Sequence, residues 1–174
     1  MYVLGIDPGL TRCGYGCVRE TSAGQSVVSA GLIRTPVEVS LPRRLAMLRA
    51  ELVSLLAELK PDAVVVERVL FQTNAMTAMS VGQASGLALA TAAEADVEVA
   101  EYSSNEVKLA VTGYGSATKT QVQEMVARLL GLREVPRPPD VADALALAVC
   151  HFAMIRGRGL VESSTSPGRK EKTS

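Results

Sequence analysis

The chain has 174 residues, enough for one domain with a substantial core, and 48% of them are hydrophobic. Two Phe, four Tyr and no Trp make that core aliphatic, and zero net charge argues mildly against a dedicated, globally basic nucleic-acid binder while leaving room for a local basic patch. No apolar run approaches the ~20 residues that span a bilayer, the N-terminus lacks signal-peptide character, and three cysteines without framework spacing fit a reducing cytosol.

Met1 to Asp7 is an apolar run that ends at Pro8-Gly9. Cys13 to Arg19 and Ser26 to Arg34 are strand candidates either side of the turn-like Thr21-Ser22-Ala23-Gly24, and the short connections predict an antiparallel meander. Leu41 to Lys60 carries leucines at helical spacing and stops at Pro61-Asp62. Ala63 to Glu67 is short and β-branched, the pattern of a buried parallel strand. Asn74 to Glu94 reads as a long helix, Val97 to Tyr102 as a strand, and Ser103 or Ser104 as the cap of a helix to about Val111. After the loop Gly113-Tyr114-Gly115-Ser116, Thr118 and Gln121 have capping-box spacing for a helix to Leu130, with Gly131 as its stop. A Pro-rich connection from Arg133 to Pro139 leads into a last helix from Asp140 to about Arg156. Residues 157–174 are polar, small and charged, and read as a disordered tail after a single domain over 1–156.

The order βββ-α-β-α-β-α-α-α predicts an α/β fold: a mixed five-stranded sheet with helices on both faces. The first and fourth strands would lie side by side and parallel, with Asp7 and Glu67 at their carboxyl ends, where open α/β sheets gather active groups. Each acid also has a bland explanation. Asp7 suits turn initiation, Glu67 the polar end of a strand, and Asp140 and Asp143 the first turn of a helix, where the dipole favours acids. Taken together they form a set of carboxylates at one sheet edge. Such a set is self-repelling and wants a hard cation, Mg²⁺ or Mn²⁺. Two such ions roughly 4 Å apart activate water and stabilise the leaving oxygen of a phosphodiester.

Competing chemistries are thin. His151, the only histidine, reads as an ordinary helix residue, and Cys13 and Cys17 on one strand face lack further zinc ligands. Ile6-Asp7-Pro8-Gly9-Leu10-Thr11 also looks like the phosphate turn of sugar kinases and actin-like ATPases, but the chain is too short for their two lobes and shows no second phosphate loop.

Several motifs resemble, in order and spacing, those of the RuvC family of Holliday-junction resolvases. Gly5-Ile6-Asp7-Pro8-Gly9 with Gly14-Tyr15-Gly16 looks like its opening motif, and Glu67-Arg68-Val69 like its second acidic motif. Asn74 and Gly82-Gln83-Ala84-Ser85-Gly86 resemble its central helix, and Val107-Lys108 with residues 113–119 its basic segment. Asp140-Val141-Ala142-Asp143-Ala144-Leu145-Ala146 resembles its last acidic motif, and the match covers roughly residues 1–155.

The resemblance implies an RNase H-like fold, a homodimer, and Mg²⁺-dependent paired nicking of four-way junction DNA in the cytoplasm, in company with the RuvA and RuvB branch-migration proteins. It implies that Asp7, Glu67, Asp140 and Asp143 are catalytic and metal-binding, and that Lys108 and Lys119 hold DNA. Many relatives carry an aromatic where Leu70 stands here, so Phe71 or an apolar wedge at Leu70 is expected to meet the bases. Arg68, Lys108 and Lys119 would form a basic patch apart from the acids, with Ser116 to Lys119 offering backbone N–H groups to a phosphate; solvated surface charge is the alternative. Gly82 and Gly86, four apart on one helix face, serve either a dimer contact or packing on the chain's own sheet.

Overall fold

A computed structural model describes residues 1–68 and 75–165. Strands β1 (Tyr2–Asp7), β2 (Arg12–Thr21) and β3 (Gly24–Arg34) form the meander, followed by α1 (Leu41–Leu59), β4 (Ala63–Glu67), α2 (Ala75–Glu94), β5 (Glu98–Tyr102), α3 (Ser104–Thr112), α4 (Lys119–Leu129) and α5 (Pro139–Thr165). The sheet order is β3-β2-β1-β4-β5, antiparallel from β3 to β1 and parallel from β1 to β5. This is the expected mixed five-stranded sheet, with α1 and α2 on one face and α3 to α5 on the other.

Strand alternation sorts the side chains between the two layers. Leu4, Ile6, Val64 and Val66 pack toward α1 and α2 with Leu48, Leu52, Leu56, Ala84 and Ala88. Val3, Ala63 and Val65 pack toward α5 with Leu145 and Val149. Asp7 and Glu67 continue the second series, so the two-residue period that buries the valines also directs both acids under α5. Cys13 and Cys17 share the α1/α2 face, as expected, and are free buried thiols.

Of the two cap candidates for α3 the structure uses Ser103, and α4 starts at the expected Thr118. Ser103 and Glu106 close a reciprocal capping box on α3, and Thr118 and Gln121 do the same on α4. Gly131 sits at φ +63 just past α4. The larger boundary differences lie at the β2–β3 turn and at the end of α5. β2 and β3 extend to the turn, pairing Glu20 with Gln25 and Thr21 with Gly24, because ladder bonds form irrespective of the polar side chains that hid them. α5 continues beyond Arg156 to Thr165, so the predicted helix end falls inside the helix, and only residues 166–174 of the expected tail lie outside the described residues. His151 is a core residue, 2% exposed, with Nδ1 2.9 Å from the Tyr102 hydroxyl.

Candidate active site

Asp7 ends β1 opposite Gly14 of β2, and Glu67 ends the neighbouring β4. Asp140 and Asp143 enter from the first turn of α5, three residues apart and so on one helix face. The helix reaches the sheet because glycines leave it room. A Cβ on Gly14 would lie 2.2 Å from the Asp140 carbonyl oxygen, and one on Gly5 would lie 1.9 Å from that of Ala144. No side chain fits between strand and helix at these points, and the close approach lowers the two aspartates onto the strand ends.

Electrostatics report the crowding. Burial, then the charges of Asp143, Glu67 and Asp140, push the Asp7 carboxyl up to about 7, and only Lys119 opposes them. Burial and Asp143 likewise raise Glu67, against the pull of Lys119, the Ser104 hydroxyl and Lys108. Burial disfavours the Lys119 charge, but its hydrogen bond to Asp143 and the fields of Asp143, Asp7 and Asp140 outweigh this and hold the ammonium above the usual lysine range.

A cleft of about 260 Å³ opens here, lined by Glu67, Ser104, Lys108, Lys119 and Asp143 over a floor that includes Val107 and Val122. A larger hollow of about 650 Å³ lies at the opposite end of the strands, lined by apolar residues such as Leu56 and Val97 with Thr91 and the Arg49–Glu94 pair. It has no group of acids, and the chemistry belongs to the smaller cleft.

The basic residues do not stand apart as expected. Lys119 Nζ lies 2.5 Å from Asp143 Oδ2, and Lys108 lines the same cleft as Glu67, so cations and carboxylates interleave. The reason is that the capped start of α4 meets the acidic start of α5. Arg68 lies outside the cleft lining and turns to the Glu101 carbonyl at 3.2 Å and to Glu106 at 3.9 Å. Ser116 is exposed two residues before the α4 cap. Leu70, Phe71 and Asn74 lie outside the described residues. Gly82 and Gly86 are exposed and, among the described residues, a Cβ on either meets nothing within 4 Å, so they do not pack on the chain's own sheet.

Two groups at the site escaped the sequence reading. Arg12 Nη2 lies 2.5 Å from Asp140 Oδ2, and Gln123 Nε2 donates to Asp143 at 3.1 Å. Residues 128 and 20 positions apart leave no local signal of such pairing.

As the side chains stand, no three of the His, Cys, Asp and Glu groups among the described residues converge closely enough to enclose an ion. Asp140 is drawn to Arg12 and Asp143 to Lys119 and Gln123. The donor set itself fits a hard divalent cation: four carboxylates, no thiolate and no imidazole, with a mutual repulsion that positive charge would relieve. Asp7, Glu67, Asp140 and Asp143 are the residues that would hold it.

Fold and site together define an acid-cluster nuclease on an RNase H-like sheet. The family model described as crossover junction endodeoxyribonuclease RuvC matches residues 3–151. A curated crossover junction endodeoxyribonuclease RuvC of Syntrophomonas wolfei is 47% identical, over 98% of this chain and 99% of its own. Another, from Leifsonia xyli, is 52% identical over 94% of this chain and 78% of its own. The solved Thermus thermophilus RuvC superposes with a TM-score of 0.85 at 36% identity, covering 91% of this chain and 97% of that one. Its complex with a Holliday junction substrate superposes at 0.82 with 35% identity, covering 90% and 96%. This chain belongs to the RuvC family of crossover junction endodeoxyribonucleases, metal-dependent enzymes that cut DNA at junctions.

Proposed function

We propose that this protein resolves Holliday junctions with Mg²⁺, nicking two strands symmetrically during recombination and repair. The observation that supports this reading is that the charges of Asp143, Glu67 and Asp140 act on Asp7 at the strand ends, with Lys108 and Lys119 lining the adjoining cleft. A pair of Mg²⁺ ions, with Mn²⁺ as a substitute, would supply Lewis acidity and an activated water at the phosphodiester. The chain's own carboxylates hold positive charge at the strand ends, while the lysines neutralise phosphates of the backbone. The likeness to a RuvC solved with a Holliday junction substrate supports the choice of DNA.

Symmetric nicking requires two active sites at a fixed separation, which a homodimer provides. The exposed α2 face that includes Met79, Gly82 and Gly86 supports that assembly, because it is small or apolar and unoccupied by the chain's own packing. RuvA and RuvB are the proposed working partners, in the cytoplasm. Among the described residues no helix is long and apolar enough to cross a membrane. Incubation with a mobile four-way junction and Mg²⁺ tests the reading. Paired nicks on opposing strands are expected, and an intact junction despite binding would overturn it.

Lys119→Ala tests the cleft lysines. Each lost phosphate contact removes about one unit from the logarithmic salt slope of binding. Because Lys119 also lowers the pKa values of Asp7 and Glu67, its loss should move the acid limb of the rate–pH profile to higher pH. An unchanged slope and an unchanged limb would make Lys119 a solvated charge. Phe71→Ala should reduce cleavage more than arm binding, since stacking one base on an aromatic ring contributes about 1–3 kcal/mol. A large loss of melting temperature instead would mark Phe71 as core.

A further inference from the structure

We infer that Arg12 is a built-in counter-cation of the active site, which competes with the divalent metal for Asp140 and sets the metal concentration the enzyme needs. The inference rests on the reading of Asp140 as a metal ligand.

Arg12 opens β2, two residues before the Gly14 that pairs with Asp7. The same Gly14 lets the start of α5 descend until the Asp140 backbone nearly touches the strand. The Asp140 carboxylate is thereby brought to the Arg12 guanidinium, 2.5 Å from Nη2 to Oδ2, and this is the only ion pair of either residue among those described. Arg12 holds one of the two carboxylate oxygens, Oδ2, and a metal ion on Asp140 would share the carboxylate with it. Two cations on one carboxylate repel, so the guanidinium weakens binding of the ion and is displaced from Oδ2 if both oxygens are to be used. A guanidinium stays charged at every working pH, so the competition is not relieved by deprotonation as it would be for a histidine.

The energetics suit a regulator better than a lock. The Arg12 side chain is 42% exposed and that of Asp140 26%, so water solvates the guanidinium when it swings out. Ion pairs of this exposure are weak. Arg12 thus lowers metal affinity by a modest factor. Lys119 on Asp143 has a comparable position, but it also lines the cleft, so Arg12 isolates the effect more cleanly.

Calorimetric titration of the full-length, DNA-free protein with Mn²⁺ provides the test, on variants first checked for cooperative melting. Arg12→Gln and Arg12→Ala should each bind Mn²⁺ about 3- to 10-fold more tightly than wild type, a range set by the weakness of exposed ion pairs. Arg12→Lys, which keeps the charge, should stay within about twofold of wild type. Asp140→Asn should weaken binding, and adding Arg12→Gln to it should bring no further gain, because the pair is already broken. Equal affinities of wild type and Arg12→Gln would overturn the inference, as would a gain that persists without the Asp140 charge. Failure of the underlying reading looks different: wild type and Asp140→Asn would then bind Mn²⁺ alike, or neither would bind, and the inference falls with it.

Discussion

Replacing Asp7 with Asn should abolish cleavage, leave junction binding nearly intact, and stabilise the metal-free protein at neutral and alkaline pH. The catalytic loss follows from position: Asp7 is the acid toward which the charges of Glu67, Asp140 and Asp143 converge. Removing one ligand charge removes the field at the reacting phosphate, whereas affinity for DNA comes mainly from backbone contacts elsewhere. The stability gain follows from linkage. Folding raises the Asp7 pKa from 3.8 to about 7, so the native state keeps a proton that the unfolded chain loses. Stability contributed by the protonated form is full below pH 4, declines as pH rises, and is gone above about 7, where the ionised group opposes folding. Asparagine carries no such cost. With a chelator present, the variant should match wild type near pH 4 and melt about 5 °C higher at pH 8, taking a cost of about 2 kcal/mol after solvent screening and the scaling for a domain of this size. Near wild-type cleavage would remove Asp7 from the catalytic set. A melting difference that did not grow with pH would refute the crowding.

Gly5→Ala should be the most damaging small substitution in the sheet. Its Cβ would lie 1.9 Å from the Ala144 oxygen, 3.0 Å from the Ala144 carbonyl carbon and 3.1 Å from the Ala148 nitrogen, all backbone atoms of α5. None is the end of a flexible side chain, so the helix itself must move by roughly 1.5 Å to restore van der Waals distance. Overpacking of this kind costs about 1–3 kcal/mol, and for a domain of this size that lowers the melting temperature by roughly 2–12 °C. The activity should fall further than stability explains, by about 100-fold, because the displaced helix carries Asp140 and Asp143 and small misplacements of reacting groups are costly. Cleavage measured well below the melting temperature separates the two effects. Full activity in a folded Gly5→Ala protein would mean that the helix does not hold the acids in register.

Much of this protein is legible in its residues because the physics there is local. Alternation in Val3–Asp7 and Ala63–Glu67 puts the hydrophobic side chains in their layers and both acids on the same face. The leucines of α1, and the boxes Ser103/Glu106 and Thr118/Gln121, are decided within a turn or two of chain. Tertiary structure alone decided the rest. Gly5 and Gly14 look like ordinary strand glycines until α5, more than 120 residues later in the chain, lies against them. Lys119 reads as a free surface charge until two helix starts meet and seat it on Asp143. Arg12 carries no local mark of its pairing with Asp140, since which charges become neighbours depends on how whole elements pack, and their sequence separation encodes nothing about that.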